Sequence, residues 1–139
     1  MTKTDLKKLQ ATENKSYRII FKAPKYTAVS ALRGEIGASS TESRDIKIKL
    51  SYVKYILGEK LNEILKTIFN HEYQNSKNKW ITTIKNYLIK LNLNLEQLKN
   101  LKLEELKKLI YRRDTQMWEE DLESKETLKY YRIYKAKPY

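Results

Sequence analysis

Three glycines (Gly34, Gly37, Gly58) and two prolines (Pro24, Pro138) are the only backbone breakers in 139 residues. A sandwich or barrel needs turn residues every 8 to 12 positions or so, and this chain does not supply them. Leu, Ile, Lys, Glu and Asn fill the space instead, a balance that favours long helices. With 40% hydrophobic and 33% charged residues, such helices must be amphipathic to share a core. The expected fold is therefore all-α: a single small domain of six or seven helices in an irregular bundle, with residues 1–37 as an N-terminal helix-turn-helix part and 43–139 as the bundle.

Along the chain, Leu6, Leu9, Tyr17 and Ile20 predict a first helix that stops after Phe21-Lys22, ahead of Pro24. Residues 26–33 predict a second with Thr27 as N-cap, closing at Gly34-Glu35-Ile36-Gly37. From Ser43 a long helix carries Ile46, Leu50, Val53 and Leu57 in one register, and Leu61, Ile64, Leu65 and Ile68 continue it past a break at Gly58. Trp80, Ile81, Ile84, Tyr87, Leu88 and Leu91 mark a further core face. Asn94 and Gln97 form a capping-box pattern for a short turn of helix, and Leu103, Leu106, Leu109, Ile110, Met117 and Trp118 line the next helix. Ser124 is placed to cap a terminal helix through Leu128, Tyr131, Ile133 and Tyr134, ending at Lys137-Pro138-Tyr139.

The same residues speak against most catalytic chemistry. There is no cysteine, hence no disulfide, thiolate site or thiol nucleophile. His71 is the only histidine, and Asn75 stands where the second imidazole of a zinc-protease helix belongs. Gly34 and Gly37 lack the lysine and preceding strand of a phosphate loop. Glu119, Glu120, Asp121 and Glu123 point in different directions on a helix and do not converge on a cation. The expectation is no enzyme, no cofactor, no metal and no membrane span, and an intracellular location, nuclear or cytoplasmic.

Charge is the sequence's clearest statement about a partner. The net value is +12, distributed as +6 over 1–50, +4 over 51–100 and +2 over 101–139. A polyanion is the natural complement, although lysine-rich coding bias raises charge without any partner. Cations interleave with aromatic residues in two places, residues 15–33 and residues 111–139. Lysine and arginine neutralise phosphates, and tyrosine rings stack on unpaired bases or bury themselves with the hydroxyl wet. The candidate phosphate contacts are Lys15, Arg18, Lys22, Lys25, Arg33 and Arg44, with Arg112 and Arg113 as a second group.

The order of these motifs resembles the segment that follows the polymerase core in non-LTR retrotransposon reverse transcriptases. Leu6-Lys7-Lys8-Leu9-Gln10 leads to Tyr17-Arg18-Ile19-Ile20-Phe21-Lys22-Ala23-Pro24-Lys25-Tyr26-Thr27 and then to Ala31-Leu32-Arg33-Gly34-Glu35-Ile36-Gly37. Trp118, Ser124-Lys125, Leu128 and Tyr131 look like the family's ending, while Glu59 to Leu101 carries only amphipathic character, and Phe21 replaces the usual glycine. The resemblance implies a helical thumb-like, connecting region that helps hold RNA, single-stranded DNA or a hybrid. It implies no polymerase activity here, because the Tyr-x-Asp-Asp of the palm is missing and no Asp-Asp pair occurs anywhere. The competing expectation is a helical protein-interaction or scaffold domain with no nucleic-acid role, docking a partner through an exposed apolar stripe.

Overall fold

The computed structural model describes residues 2–58, 62–75 and 77–135, with the side chain of Arg132 left aside. Among the described residues the fold is all-α, with eight α-helices and no strand: α1 Lys3–Ile20, α2 Val29–Ile36, α3 Thr41–Leu57, α4 Glu63–Asn75, α5 Lys79–Lys90, α6 Leu95–Asn100, α7 Leu103–Glu123 and α8 Lys129–Tyr134. A 3-10 turn, Glu126–Leu128, leads into α8. The expected six or seven become eight because the long helix from Ser43 is two, α3 ending at Leu57 just before Gly58. Leu61 and the final Lys137-Pro138-Tyr139 lie outside the described residues.

The chain forms two compact units, one built from Met1–Arg44 with Tyr111–Tyr139, the other from Asp45–Ile110. In the first, α1 starts at a capping box: the Thr2 hydroxyl accepts from the Asp5 amide and the Asp5 carboxylate accepts from the Thr2 amide. Its inward strip is not the expected Leu6, Leu9, Tyr17, Ile20 row, because Leu9 and Ile20 are exposed. Polar bonds choose the strip instead: Gln10 and Glu13 accept from Thr41 at the start of α3, and Tyr17 is buried on the same side. Thr27 is not the cap of α2 either. Its amide closes a turn on the Pro24 carbonyl at 2.9 Å, and Ala28 precedes the helix without a side-chain cap. Gly37, with φ of 69°, ends α2 in the left-handed conformation that glycine adopts without a Cβ penalty.

This unit has its own apolar cluster of Trp118, Leu122 and Leu128, against which Ala28, Ala31 and Tyr131 pack. The Trp118 indole donates to the Ser30 carbonyl, and the Tyr131 hydroxyl meets the Ala31 carbonyl and the Glu35 carboxylate. A Cβ on Gly34 would lie 3.0 Å from Trp118 Cζ2 and inside contact distance of the Tyr131 hydroxyl, so only glycine lets α2 approach this cluster. Beyond Tyr131, Ile133 and Tyr134 are exposed rather than inward-facing, and Ser124 donates back to the Asp121 carbonyl instead of capping a helix.

In the second unit Ile46, Leu50, Val53 and Leu57 of α3 are buried as their register predicts, together with Ile81, Ile84, Tyr87 and Leu88 of α5. Asn94 and Gln97 make the anticipated capping box of α6. On α4 the aliphatic row Ile64, Leu65, Ile68 is exposed and Phe69 is buried. Ring contacts decide this, since Phe69 packs edge-on to Trp80 and lies against Tyr73, its i+4 neighbour. On α7 Leu106 and Ile110 are buried while Leu103 is exposed.

Candidate nucleic-acid interface

The candidate cations divide into two groups: the three lysines and Arg112 point to solvent, and the other four arginines bond within the unit. Lys15 is exposed on the outer face of α1, two turns beyond exposed Lys8. Lys22 takes a left-handed conformation, φ 49°, one residue after the Phe21 C-cap of α1. Lys25 follows Pro24 in the closed turn and is exposed. None of these three ammonium groups, nor the exposed guanidinium of Arg112, has a hydrogen bond or ion pair among the described residues.

The remaining four arginines are occupied. Arg18 Nη2 donates to the Thr27 carbonyl at 3.2 Å and braces the turn. Arg33 reaches Asp114 at 3.5 Å, Arg113 reaches Glu42 at 3.4 Å, and Arg44 forms a short pair with Glu13. The Nε atoms of Arg18 and Arg33 are buried without an acceptor, which marks both side chains as turned inward. Planar, multi-donor guanidinium suits such fixed contacts, whereas lysine keeps a hydrated point charge at the end of a flexible stem.

Asp114 is the centre of the arrangement and carried no signal in the sequence. It is 2% exposed and accepts from the Ser40 amide, from the Ser43 hydroxyl at 2.8 Å and from Arg33. Ser40 also accepts from the Ser43 amide at 3.1 Å, so it caps α3 while its own amide is held by Asp114. Beside it, burial pushes the Glu13 carboxyl up, but hydrogen bonds from Arg44, Tyr17 and Thr41 outweigh this and leave it below its ordinary range. Burial, then the bond to Glu13 and its charge, raise the Tyr17 hydroxyl to about 12. Tyr131 is raised as well, by burial and by the Glu35 carboxylate.

Of the tyrosines in the two basic stretches, Tyr17 is buried and Tyr131 half-buried, whereas Tyr26, Tyr130 and Tyr134 are exposed. Lys3, Lys7 and Lys8 add exposed charge along α1 beyond the candidate phosphate contacts. On the 3.6-residue period Lys8 lies opposite Tyr17, as Lys15 nearly does, while Lys3 and Lys7 are exposed in the first turns of α1.

The second unit holds an apolar cleft of about 380 Å³, lined by Tyr52, Tyr55, Leu65, Ile68, Phe69 and Trp80, with Glu72 as its acidic member. It also buries a charged pair, where Lys49 Nζ and the Tyr87 hydroxyl both donate to Asp45 Oδ2 at 2.6 Å. Among the described residues no group of three His, Asp or Glu side chains gathers as metal ligands would, and no helix is long and apolar enough to cross a membrane. No family model matches the chain, and no curated protein or solved structure matches it.

Proposed function

We propose that the chain is a non-catalytic nucleic-acid-binding module that resembles the C-terminal region of a retroelement reverse transcriptase and contacts phosphates of RNA or primer-template chiefly through lysines. The observation that carries this reading is the set Lys15, Lys22, Lys25 and Arg112: exposed cations without an internal acceptor, in a chain of net charge +12. The four braced arginines act on the shape of the first unit, and the free lysines act on the ligand. An intracellular setting, nuclear or cytoplasmic, goes with such a partner.

The resemblance gains support from where its residues meet. Gly34 and Glu35 of the Gly-Glu-Ile-Gly turn lie against Tyr131 and Trp118 of the terminal motif, and Lys125 Nζ reaches Ser30 Oγ at 3.4 Å. Residues about a hundred positions apart thus form one packed cluster.

A second reading, a protein-interaction domain with no nucleic-acid role, is favoured by the apolar cleft and the exposed Ile64, Leu65 and Ile68 on α4. Salt separates the two. Four phosphate contacts to a single strand give a log–log slope of affinity against salt near about −3, whereas an apolar docking surface is nearly salt-insensitive. Undetectable binding to RNA and to DNA at low salt overturns the first reading.

A further inference from the structure

We propose that the turn at residues 21–27 is a stacking site for an unpaired base of a single-stranded nucleic acid, with the Tyr26 ring as platform and Lys22 and Lys25 on the flanking phosphates. The inference rests on the nucleic-acid reading above and adds to it a strand preference and a residue that sets it.

Of the tyrosines in this unit, Tyr17 is buried and bonded to Glu13 and Tyr131 packs on Trp118 and bonds Glu35, whereas Tyr111, Tyr130 and Tyr134 are exposed on helices and Tyr26 is exposed on a hydrogen-bonded turn. Tyr26 is 84% exposed, and its hydroxyl has no partner among the described residues. Its exposure is built in rather than a consequence of slack chain. The Thr27 amide bonds the Pro24 carbonyl at 2.9 Å, which makes Lys25 and Tyr26 the two central residues of a four-residue turn, the positions whose side chains project outward. The turn is anchored at both ends. The Ala23 amide bonds the Arg18 carbonyl at 2.8 Å, and the Arg18 guanidinium bonds the Thr27 carbonyl at 3.2 Å. Pro24 fixes its own φ, and the left-handed Lys22 sets the direction in which the chain leaves α1.

The result is an aromatic ring on a braced support with a cation directly before it and another four residues before it. Only Ala23 and Pro24 separate Lys22 from Lys25, so their Cα atoms, three steps of chain apart, lie within about 11 Å. Both cations therefore stay within reach of one short stretch of strand. A base stacks on an exposed ring only when it is free of its own duplex, so the ring contributes to single strands and the lysines to any nucleic acid. A support that is already ordered also loses little freedom on binding.

The test measures binding of the full chain to labelled oligo-uridine RNA, oligo-thymidine DNA and a blunt duplex, each about 20 nucleotides long, at low salt. Tyr26→Leu is expected to weaken single-strand binding about 5- to 150-fold and to leave duplex binding unchanged, while Tyr26→Phe keeps both. Lys22→Gln with Lys25→Gln is expected to weaken all three and to lower the salt slope. Unequal loss on the RNA and DNA strands identifies which of them the site takes. Circular dichroism of Tyr26→Leu confirms that the helices are retained, as the exposure of the ring requires. Tyr26→Leu that leaves single-strand affinity intact, or lowers single-strand and duplex affinity equally, overturns the stacking site while the nucleic-acid reading stands. Failure of the unaltered chain to bind any of the three probes overturns both.

Discussion

The Trp118 indole Nε1–H donates to the Ser30 carbonyl across 2.9 Å, although 88 residues separate the two in sequence. Trp118→Phe keeps a ring in the cluster and removes the donor, so the buried carbonyl loses its partner. The expected loss of stability is about 1–3 kcal/mol, read as a lower urea midpoint with unchanged helical signal before the transition.

Gly34 is held to its identity by the same cluster. Gly34→Ala places a methyl against the Tyr131 hydroxyl and Trp118, with an expected cost of about 1–3 kcal/mol from overpacking. Tyr131→Phe removes the nearest obstructing atom, so the double variant is expected to lose less than the two single variants added together. Equality of the double-variant loss and that sum would show that Gly34 and Tyr131 do not meet.

Asp114 makes a sharper case because it is a buried carboxylate on which the half-buried Arg33 guanidinium depends. Asp114→Ala strands Arg33 and leaves the Ser40 amide and the Ser43 hydroxyl without their acceptor. The expected destabilisation is about 3–5 kcal/mol. Glu42→Ala, whose partner Arg113 is paired at 3.4 Å in a more exposed position, is expected to cost about 1 kcal/mol or less. Chemical denaturation of both variants compares them directly.

Helix existence was legible in the sequence wherever one apolar row had to be covered, as with Ile46, Leu50, Val53 and Leu57 or the α5 face, because burial alone selects that row. The inward strip of α1 was not legible, since it is chosen by Gln10 and Glu13 bonding Thr41 thirty or so residues away. The row Ile64, Leu65, Ile68 satisfied the same periodicity and is exposed, because ring packing of Phe69 with Tyr73 and Trp80 turned α4 the other way. At the candidate interface the cations were visible one by one. What could not be read was which of them Asp114, Glu42, Glu13 and the Thr27 carbonyl would occupy, because acceptor and donor come from distant segments.

Acid sensitivity follows from Glu13. Its carboxyl lies below the ordinary 4.5 in the folded chain, so its contribution is present above that value and is lost as pH falls through the folded value. Thermal midpoints measured from neutral pH down to acid are expected to fall less steeply in Glu13→Gln than in the unaltered chain. On the alkaline side Tyr17 behaves oppositely. Raised to about 12, it supports the fold below 10.0 and loses that support as pH climbs from one value to the other, a loss that Tyr17→Phe is expected to remove.

In the proposed binding mode the free lysines, and not the braced arginines, hold the ligand. The most direct test of this mode is the salt dependence of single-stranded RNA binding by the unaltered chain and by the triple variant Lys15→Gln, Lys22→Gln, Lys25→Gln. All three side chains are exposed and without internal partners, so folding is expected to be untouched. The expected log–log slope is about −3 for the unaltered chain, with a reduction in its magnitude of about 2 in the variant and a matching loss of affinity. A slope that is flat in the unaltered chain, or equally steep in the triple variant, contradicts this mode.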